Sequence, residues 1–454
     1  MGRIAAPDVW EATRGLLVAG RGAENRSFDR PAIDSREVEP GDLFFALRGE
    51  RLDGHDFVAQ AIGAGAAGAV IERPVAAPEN ATLFQVSDSL EALQRLAAWW
   101  RRKHDVKVIA VTGSVGKTTC KELLASVLGR KYRTLKSEAN LNTEIGIPLT
   151  LLQLTEEHQR AVLEFGMYAR GDIALLSRLA LPRIGVVTNI GPVHLERLES
   201  MGAITAAKAE LVEALPSDGI AVLNGDDART AALGARSEAR VVRYGLSSHC
   251  DVRAGCVVGL GLEGIEFDLS VKGESVRVRL PLPGKHYVYP ALATAAVAVE
   301  EGLALSEVAD ELAESRPDLR SRVLSGPQGS TILDDSYNAS PASMLAALDL
   351  LAELPGRRIA LLGEMLELGA AEEDGHRQVG ERAATACDLL LVVGERARPL
   401  AEAAEGGRAE VRRLNSHAEA IDALNRELRK GDHVLIKASR AMAFDKVVSA
   451  LTER

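Results

Sequence analysis

The sequence predicts an α/β protein of three domains, with a doubly wound, mainly parallel sheet in the central one. The chain has 454 residues, and domains of about 100–200 residues are typical, which suggests about three of them. Buried strand segments alternate with helical segments in two separate stretches, as is typical of parallel sheets. Short, alternating β segments divide these two stretches. The expected domains are residues 1–86, 87–315 and 316–454.

The first domain is expected to be small and of mixed α/β structure. A helix capped by Ser87 or Asp88 and ending near Lys103 follows it, because apolar residues recur there at helical spacing. The expected elements of the first domain are a buried strand over 42–47, an Ala- and Gly-rich helix over 58–67 and a strand over 69–71.

The central domain repeats the order strand, loop, helix, which predicts parallel strands joined by long crossovers. Its expected parallel strands cover residues 106–111, 161–163, 184–187 and 220–223. Residues 241–281 predict an antiparallel addition, with strands over 264–269 and 275–280, before a helix over 291–301.

The last domain begins at Arg316 and Pro317 and repeats the same alternation, so a Rossmann-like α/β domain is expected. Its expected strands cover residues 331–333, 358–362, 389–393 and 433–436.

Composition excludes several classes of protein. Hydrophobic residues make up 46% of the chain and charged residues 26%, which is ordinary for a globular protein. The net charge of −10 argues against a nucleic-acid-binding role. The four cysteines have no metal-binding spacing, and no run of about 20 apolar residues is present to span a membrane. Without a signal peptide at the N-terminus, we expect a cytoplasmic protein.

A glycine loop follows the first strand of the central domain. The strand over 106–111 runs directly into TGSVGKTT, and a helix follows. Glycines let backbone N–H groups turn towards a phosphate, and the helix N-terminus adds positive potential. The usual first glycine is replaced by Val111, and Gly113 stands two residues later. The central domain is therefore expected to be P-loop ATPase-like, with a nucleotide at Gly113, Ser114, Val115, Gly116, Lys117, Thr118 and Thr119.

Three polar residues stand beyond the ends of central strands or in the helix that follows. Ligands of open parallel sheets bind at the carboxyl ends of strands. Glu164 follows one strand and is a candidate carboxylate ligand of Mg²⁺, and His194 follows a Gly-Pro turn after the next. Lys208 is expected to begin a helix, and its local sequence predicts only an ordinary surface lysine.

These residues resemble the Mur ligase family over essentially the whole chain. The short phosphate loop is similar to the family's own variant, which explains the displaced glycine. Two blocks resemble the branch that adds D-alanyl-D-alanine: DDSYNASP and LGEMLELG. The other matching blocks are NLNTEIGIP at 140–148, EFGM at 164–167, NIGPVHLE at 189–196 and, in the first domain, 34–36, 40–44 and 53–57.

The resemblance implies a role for each matching residue. Lys117 and its loop would hold ATP, with Asp335 on the ribose. Thr118 and Glu164 would hold one Mg²⁺, and His194 with a carbamylated Lys208 would hold a second. The remaining implied residues are His286, Arg320 and Asn338 for the nucleotide, Ser35, Arg36 and His55 for the UDP end, and Asn142 and Thr143 for substrate.

The chain departs from the family in two places. The adenine-contacting block GxHNxxN appears as GKHYVYP, so that Tyr287 and Pro290 replace both asparagines. The Pro-Gly-Arg that opens the last domain appears as DLRSR, where Arg320 matches by spacing and Arg322 is the alternative.

The resemblance implies an ATP-dependent ligase, expected to be a monomer, that acts through an acyl phosphate. Its substrates would be UDP-N-acetylmuramoyl-tripeptide and D-alanyl-D-alanine. The alternatives are a family member that adds a single amino acid, a folylpolyglutamate synthase and, in another class, a nucleotide-binding regulatory protein. The block at 334–341 argues against the first two, and intact Lys117, Glu164, His194 and Lys208 argue against the third.

Overall fold

The computed structural model describes residues 3–19, 25–78, 81–193, 195–317 and 319–452. Within these ranges the strands form sheets of five, two, nine and six strands. The three larger sheets follow one another along the chain, which confirms the three-domain α/β fold. The proposed boundaries at 86/87 and 315/316 stay predictions.

The first domain is built on the five-stranded sheet, in the order β2-β7-β6-β5-β4, beside the short antiparallel pair β1 and β3. The predicted helix over 58–67 ends three residues early, at Ala64, because Gly65 adopts a left-handed conformation with φ 118°. The elements are β1 (Ile4–Ala5), α1 (Ala6–Thr13), β2 (Leu16–Ala19), β3 (Ser27–Phe28), β4 (Pro31–Ala32), β5 (Leu43–Phe45), α2 (Val58–Ala64), β6 (Gly68–Ile71) and β7 (Thr82–Gln85).

Helix α3 (Ser89–Lys103) links the first two domains through a shared apolar core. Asp88 caps it by accepting a hydrogen bond from the Glu91 N–H, so Asp88 is the cap rather than Ser87. Its buried Leu93 and Leu96 belong to one cluster with Phe45 of the first domain and residues of the central sheet. The two domains therefore pack continuously at this helix.

The central domain carries the nine-stranded sheet, in the order β16-β15-β14-β13-β12-β11-β8-β10-β9. Strands from β9 to β14 pair in parallel along this order. The antiparallel addition predicted over 241–281 was wrong for its first part, because β13 pairs in parallel with both β12 and β14, and antiparallel pairing begins only between β14 and β15 and continues to β16 at one edge of the sheet. The strands are β8 (Lys107–Thr112), β9 (Thr134–Lys136), β10 (Arg160–Glu164), β11 (Ile184–Val187), β12 (Ile220–Asn224), β13 (Arg240–Gly245), β14 (Val252–Gly259), β15 (Ile265–Val271) and β16 (Glu274–Leu280).

Helices cover both faces of the central sheet, as a doubly wound fold requires. Alternate residues of β8 show this, because Ala110 packs into one apolar cluster while Ile109 and Val111 pack into another. The helices are α4 (Lys117–Gly129), α5 (Gly146–Leu151), α6 (Asp172–Ala180), α7 (Leu195–Leu198), α8 (Met201–Glu213), α9 (Ala228–Ala232), α10 (Val288–Glu300) and α11 (Leu305–Glu314).

The last domain carries the six-stranded sheet, in the order β17-β18-β22-β19-β20-β21, which is parallel except for β17. Apolar clusters again lie on both faces. The elements are β17 (Arg322–Ser325), β18 (Thr331–Asp334), α12 (Pro341–Glu353), β19 (Arg358–Leu362), α13 (Glu372–Ala386), β20 (Leu389–Val393), α14 (Arg398–Ala404), β21 (Glu410–Leu414), α15 (His417–Glu427), β22 (His433–Lys437) and α16 (Asp445–Thr452).

None of the helices in the described ranges is both long enough and apolar enough to cross a membrane.

Candidate active site

A cleft of about 1040 Å³ lies between the central and last domains. One wall is the phosphate loop with the carboxyl ends of neighbouring central strands. The opposite wall is formed by the loops that follow β18, β19 and β22. Both sheets therefore present their carboxyl ends to one space, as is expected for ligand sites in open parallel sheets.

Gly113 and Gly116 are required by the backbone of the phosphate loop. Gly113 has φ +147°, and a Cβ there would lie 1.8 Å from the Thr188 hydroxyl. Gly116 has φ 84° at the N-terminus of α4, a left-handed conformation that favours glycine. The displaced glycine of the sequence thus stands where β8 meets the loop after β11.

Side chains after β11 hold the phosphate loop in place. Asn189 Oδ1 accepts a hydrogen bond from the Val115 N–H at 2.9 Å, and the Thr188 hydroxyl donates to the Val115 carbonyl at 2.6 Å. The Ser114 hydroxyl donates to the Gly191 carbonyl at 3.0 Å. No role for Thr188 or Asn189 was predicted from the sequence, although their place at a strand end beside the loop was the available signal.

The Lys117 side chain folds back over its own loop. Its Nζ donates to the carbonyls of Gly113 at 2.9 Å and Ser114 at 3.3 Å. Desolvation in the cleft lowers the pKa of Lys117, against the opposing effect of the Glu164 charge, and the positive charge of Arg320 lowers it further. An anionic ligand would favour the charged form of this lysine.

Thr118 and Glu164 form a pair of oxygen donors beside the loop. The Thr118 hydroxyl donates to Glu164 Oε2 at 2.8 Å, and Asn142 Nδ2 donates to Glu164 Oε1 at 3.0 Å. The neighbouring Thr143 side chain contacts the backbone rather than Glu164: its hydroxyl accepts a hydrogen bond from the Gly146 N–H at 3.3 Å. Over the residues described here, no group of three or more His, Cys, Asp or Glu side chains is arranged to hold a metal ion. A hard cation at this place would need further ligands from its substrate or from water.

Lys208 does not lie at the surface or at the start of a helix, so both local expectations were wrong. It lies inside α8, which begins at Met201 with Ser200 as its cap, and it is 2% exposed. Burial lowers the pKa of Lys208 well below its ordinary value, and the charge of Lys117 lowers it further. His194 lies outside the described residues.

The opposite wall holds Asp335, which the resemblance implies for the ribose, and Arg320, which it implies for the nucleotide. Lys437 Nζ lies 2.5 Å from Asp335 Oδ2. Arg320 stacks on the Tyr337 ring, with the guanidinium carbon 3.7 Å from the ring centroid. Arg322 is instead paired with Asp334 at 2.9 Å, which favours Arg320 as the arginine available to a nucleotide. Lys437 was not predicted from the sequence, although it ends a buried strand beside the Asp335 loop.

The altered block at 284–290 lines the same cleft. Tyr287 is buried, and the Tyr289 hydroxyl donates to Asp226 Oδ2 at 3.1 Å. Pro290 packs beside the phosphate loop, where a Cβ on Gly116 would lie 3.7 Å from its Cγ. His286 lines the cleft, and its ring lies 4.2 Å from the Tyr287 ring, centroid to centroid. Neither position that carries asparagine in the family offers an amide here.

Models of known protein families match most of the chain. Residues 111–298 match the Mur ligase middle domain, residues 319–440 match the Mur ligase glutamate ligase domain, and residues 32–101 match the Mur ligase family catalytic domain. The chain belongs to the Mur ligase family. The resemblance drawn from the sequence is confirmed.

Relatives of this Mur ligase are similar over nearly their full length. A UDP-N-acetylmuramoyl-tripeptide–D-alanyl-D-alanine ligase of Synechocystis is 39% identical, with 96% of this chain and 94% of the relative covered. A crystal structure of MurF from Acinetobacter baumannii superposes with a TM-score of 0.90, at 32% identity over 100% of both chains. The MurF ligase of Thermotoga maritima in complex with ADP gives 0.83, at 29% identity over 93% of this chain and 97% of that one.

The three residues implied for the UDP end lie in the first domain of this Mur ligase, and none of them lines the cleft. Ser35 is buried, and Arg36 is exposed and paired with Asp34 at 2.5 Å. His55 is buried with both ring nitrogens engaged: Nδ1 lies 2.6 Å from Asp53 Oδ1, and Nε2 accepts from the Glu72 N–H at 2.8 Å. His55 thus fixes the local turn, and a contact of these residues with UDP stays a prediction.

Proposed function

We propose that this Mur ligase uses ATP to join D-alanyl-D-alanine to UDP-N-acetylmuramoyl-tripeptide, giving the pentapeptide precursor of peptidoglycan. The observation that carries the proposal is one cleft that combines the phosphate loop with Asp335 and Arg320 on the opposite wall. It occurs in a chain that aligns over 96% of its length with a ligase named for this reaction.

A carboxylate and an amine do not condense unaided in water, so the carboxylate must be activated. The γ-phosphoryl group of ATP passes to the terminal carboxylate of the tripeptide, giving ADP and an acyl phosphate. The amine of D-alanyl-D-alanine then attacks the acyl carbon, forms the amide bond and releases inorganic phosphate. A cleft between two domains protects the acyl phosphate from water when it closes.

This chain supplies positive groups where negative charge gathers. The N-terminus of α4 would face the phosphates. The loop N–H groups of Ser114 and Val115 are instead engaged with Asn189. Lys117 would leave its two loop carbonyls for the outer phosphates, and Arg320 would approach them from the opposite wall. Such fixed cationic groups stabilise a phosphoryl-transfer transition state more than its ground state.

We further propose two Mg²⁺ ions, which would offset charge on the transferring phosphoryl group. Thr118 and Glu164 suit the first, since a hydroxyl and a carboxylate are the hard oxygen ligands that Mg²⁺ prefers. His194 and a carbamylated Lys208 would hold the second. Burial beside the charge of Lys117 disfavours an ammonium at Lys208, and carbamylation would convert that amine into an anionic oxygen ligand.

The expected monomeric state and cytoplasmic location complete the proposal. A ligase that adds a single amino acid, or one of the folylpolyglutamate synthase type, would share the phosphate loop but select a different acceptor. A regulatory protein would bind ATP without forming a product. The identity of the product therefore separates these functions.

The test is incubation with ATP, UDP-N-acetylmuramoyl-tripeptide and D-alanyl-D-alanine, with mass spectrometry of the product and measurement of phosphate release. We expect the pentapeptide, and phosphate release only when both other substrates are present. Lys117→Ala should abolish both signals. Lys430→Ala is the matched control, because Lys430 is exposed and precedes the amino end of β22, whereas the carboxyl end of β22 faces the cleft. Binding of ATP without any ligated product would refute the proposal.

A further inference from the structure

A buried lysine with no role in the proposed chemistry stands at the end of the central strand of the last domain. Lys437 ends β22, which lies between β18 and β19, and its side chain is 3% exposed. Its Nζ makes two contacts, both with the loop after β18. It lies 2.5 Å from Asp335 Oδ2 and donates to the Asn338 carbonyl at 2.9 Å.

The backbone of β22 fixes only the start of that loop. Asp334 pairs with Ile436 in the parallel register, and the Asp335 N–H donates to the Ile436 carbonyl at 3.0 Å. Beyond Asp335 the loop leaves the sheet and returns at α12. Lys437 Nζ bridges this segment of the loop. It binds the Asp335 side chain at the start of the segment and the Asn338 carbonyl three residues later.

Asp335 is held through one oxygen and presents the other. Oδ2 is bound by Lys437, while no side chain or N–H group in the described part of the chain donates to Oδ1. The carboxylate is 24% exposed and lines the cleft. An acceptor oriented in this way suits a vicinal diol, whose two hydroxyls can donate to a fixed carboxylate.

We propose that Lys437 is a positioning residue that aims the Asp335 carboxylate at the ribose hydroxyls of the nucleotide. The inference rests on the proposed function, since that function assigns Asp335 to the ribose. Tyr337 lies within the same loop, and Arg320 stacks on its ring. The loop that Lys437 fixes therefore also positions the guanidinium of Arg320.

A purely structural ion pair makes a different prediction. Removing one partner of a buried pair destabilises the fold because the other charge is left without compensation, whereas removing both is often nearly neutral. A structural role would therefore change the melting temperature without changing the preference for ribose over deoxyribose. A positioning role changes that preference.

The test is equilibrium binding of ADP, 2′-deoxy-ADP and 3′-deoxy-ADP, together with the melting temperature, for five proteins. These are the wild type, Lys437→Met, Asp335→Asn, the double variant and the exposed control Lys430→Met. Hydrogen bonds to a charged group are stronger than those between neutral groups. We therefore expect the wild type and the control to bind ADP more tightly than at least one deoxy analogue, by about tenfold or more.

Lys437→Met should lose most of this preference, as should Asp335→Asn, and the double variant should lose no more than either single variant. Should Lys437→Met fail to fold, Lys437→Gln tests the same point, because it keeps a donor for the Asn338 carbonyl and removes the charge. A Lys437 variant that melts earlier but keeps the full preference would overturn the inference. If Asp335→Asn keeps it as well, the ribose assignment fails too. Binding needs no acceptor, so neither result depends on whether the ligase reaction occurs.

Discussion

The Thr118 hydroxyl donates a hydrogen bond to the Glu164 carboxylate at 2.8 Å, and so joins the phosphate loop to the end of β10. Strands β8 and β10 pair in parallel with Glu164 opposite Val111, which brings the two loops together. Asn142 donates to the other carboxylate oxygen. The carboxylate is thus oriented before any ligand arrives, with its partner hydroxyl beside the phosphate loop.

This pair predicts a change in the Mg²⁺ requirement. Glu164→Gln removes the anionic oxygen, and even the loss of a supporting ligand typically costs about 10–100-fold in metal affinity. We expect the Mg²⁺ concentration for half-maximal ligase activity to rise by at least about tenfold. Thr118→Val should shift it in the same direction, whereas Thr118→Ser keeps the hydroxyl and should stay near the wild type. An unchanged Mg²⁺ titration in Glu164→Gln would show that Glu164 is not a ligand of the first Mg²⁺.

The proposed carbamate at Lys208 predicts that a small carboxylic acid can restore ligase activity to a Lys208 variant. Lys208→Ala leaves a buried space beside Lys117 and removes the proposed carbamate, so ligase activity should be lost. Acetate or another short carboxylic acid should restore part of it by supplying an anionic oxygen at the vacated position. Methylamine is the matched control, because it restores the amine but no carboxylate-like oxygen. Full activity in Lys208→Ala, or rescue by the amine alone, would exclude the carbamate.

The stacking of Arg320 on Tyr337 predicts that the KM for ATP depends on the Tyr337 ring. The guanidinium lies 3.7 Å from the ring centroid, and the described residues offer it no carboxylate partner, so stacking holds it in place. Cation–π contacts contribute about 0.5–2 kcal/mol, so Tyr337→Leu should raise the KM for ATP by about two- to thirtyfold. Tyr337→Phe keeps the ring and should behave as the wild type. Equal KM values for the Leu and Phe variants would show that stacking does not matter.

The altered block at 284–290 predicts weak selection between ATP and GTP. A proline side chain offers no hydrogen bond to a base, and the Tyr289 hydroxyl is already engaged with Asp226. An aromatic ring can stack on either purine, and stacking does not distinguish them. The measurement is kcat/KM for ATP relative to GTP at saturating tripeptide and dipeptide. A preference for ATP above about a hundredfold, or nearly 3 kcal/mol, would contradict the prediction. It would show that another polar group in the cleft forms hydrogen bonds with adenine.

The sequence predicted the elements that local pattern determines and missed those that tertiary packing determines. The strand over 184–187 was predicted to the residue, because a fully buried parallel strand is apolar throughout. Gly113 and Gly116 were identified because a tight loop restricts those positions to glycine. The burial of Lys208 escaped prediction, since it follows from how α8 packs on the sheet.

Lys437 and Asp335 lie 102 residues apart in the chain and meet only through the pairing of β18 with β22. No local spacing contains that information. Similarly, the choice between Arg320 and Arg322 was left open by spacing and depends on the Asp334 carboxylate that engages one of them. The proposed metal and phosphate ligands could be named from sequence motifs, whereas the residues that orient them could be found only from the fold.

Acceptor competition tests the central claim most directly. The enzyme is given ATP, UDP-N-acetylmuramoyl-tripeptide and an equimolar mixture of D-alanyl-D-alanine, meso-diaminopimelate, L-lysine and L-glutamate, and the products are resolved by mass. We predict a single product, the tripeptide extended by the dipeptide. A product carrying one amino acid, formed with a kcat/KM comparable to that of the dipeptide, would contradict it.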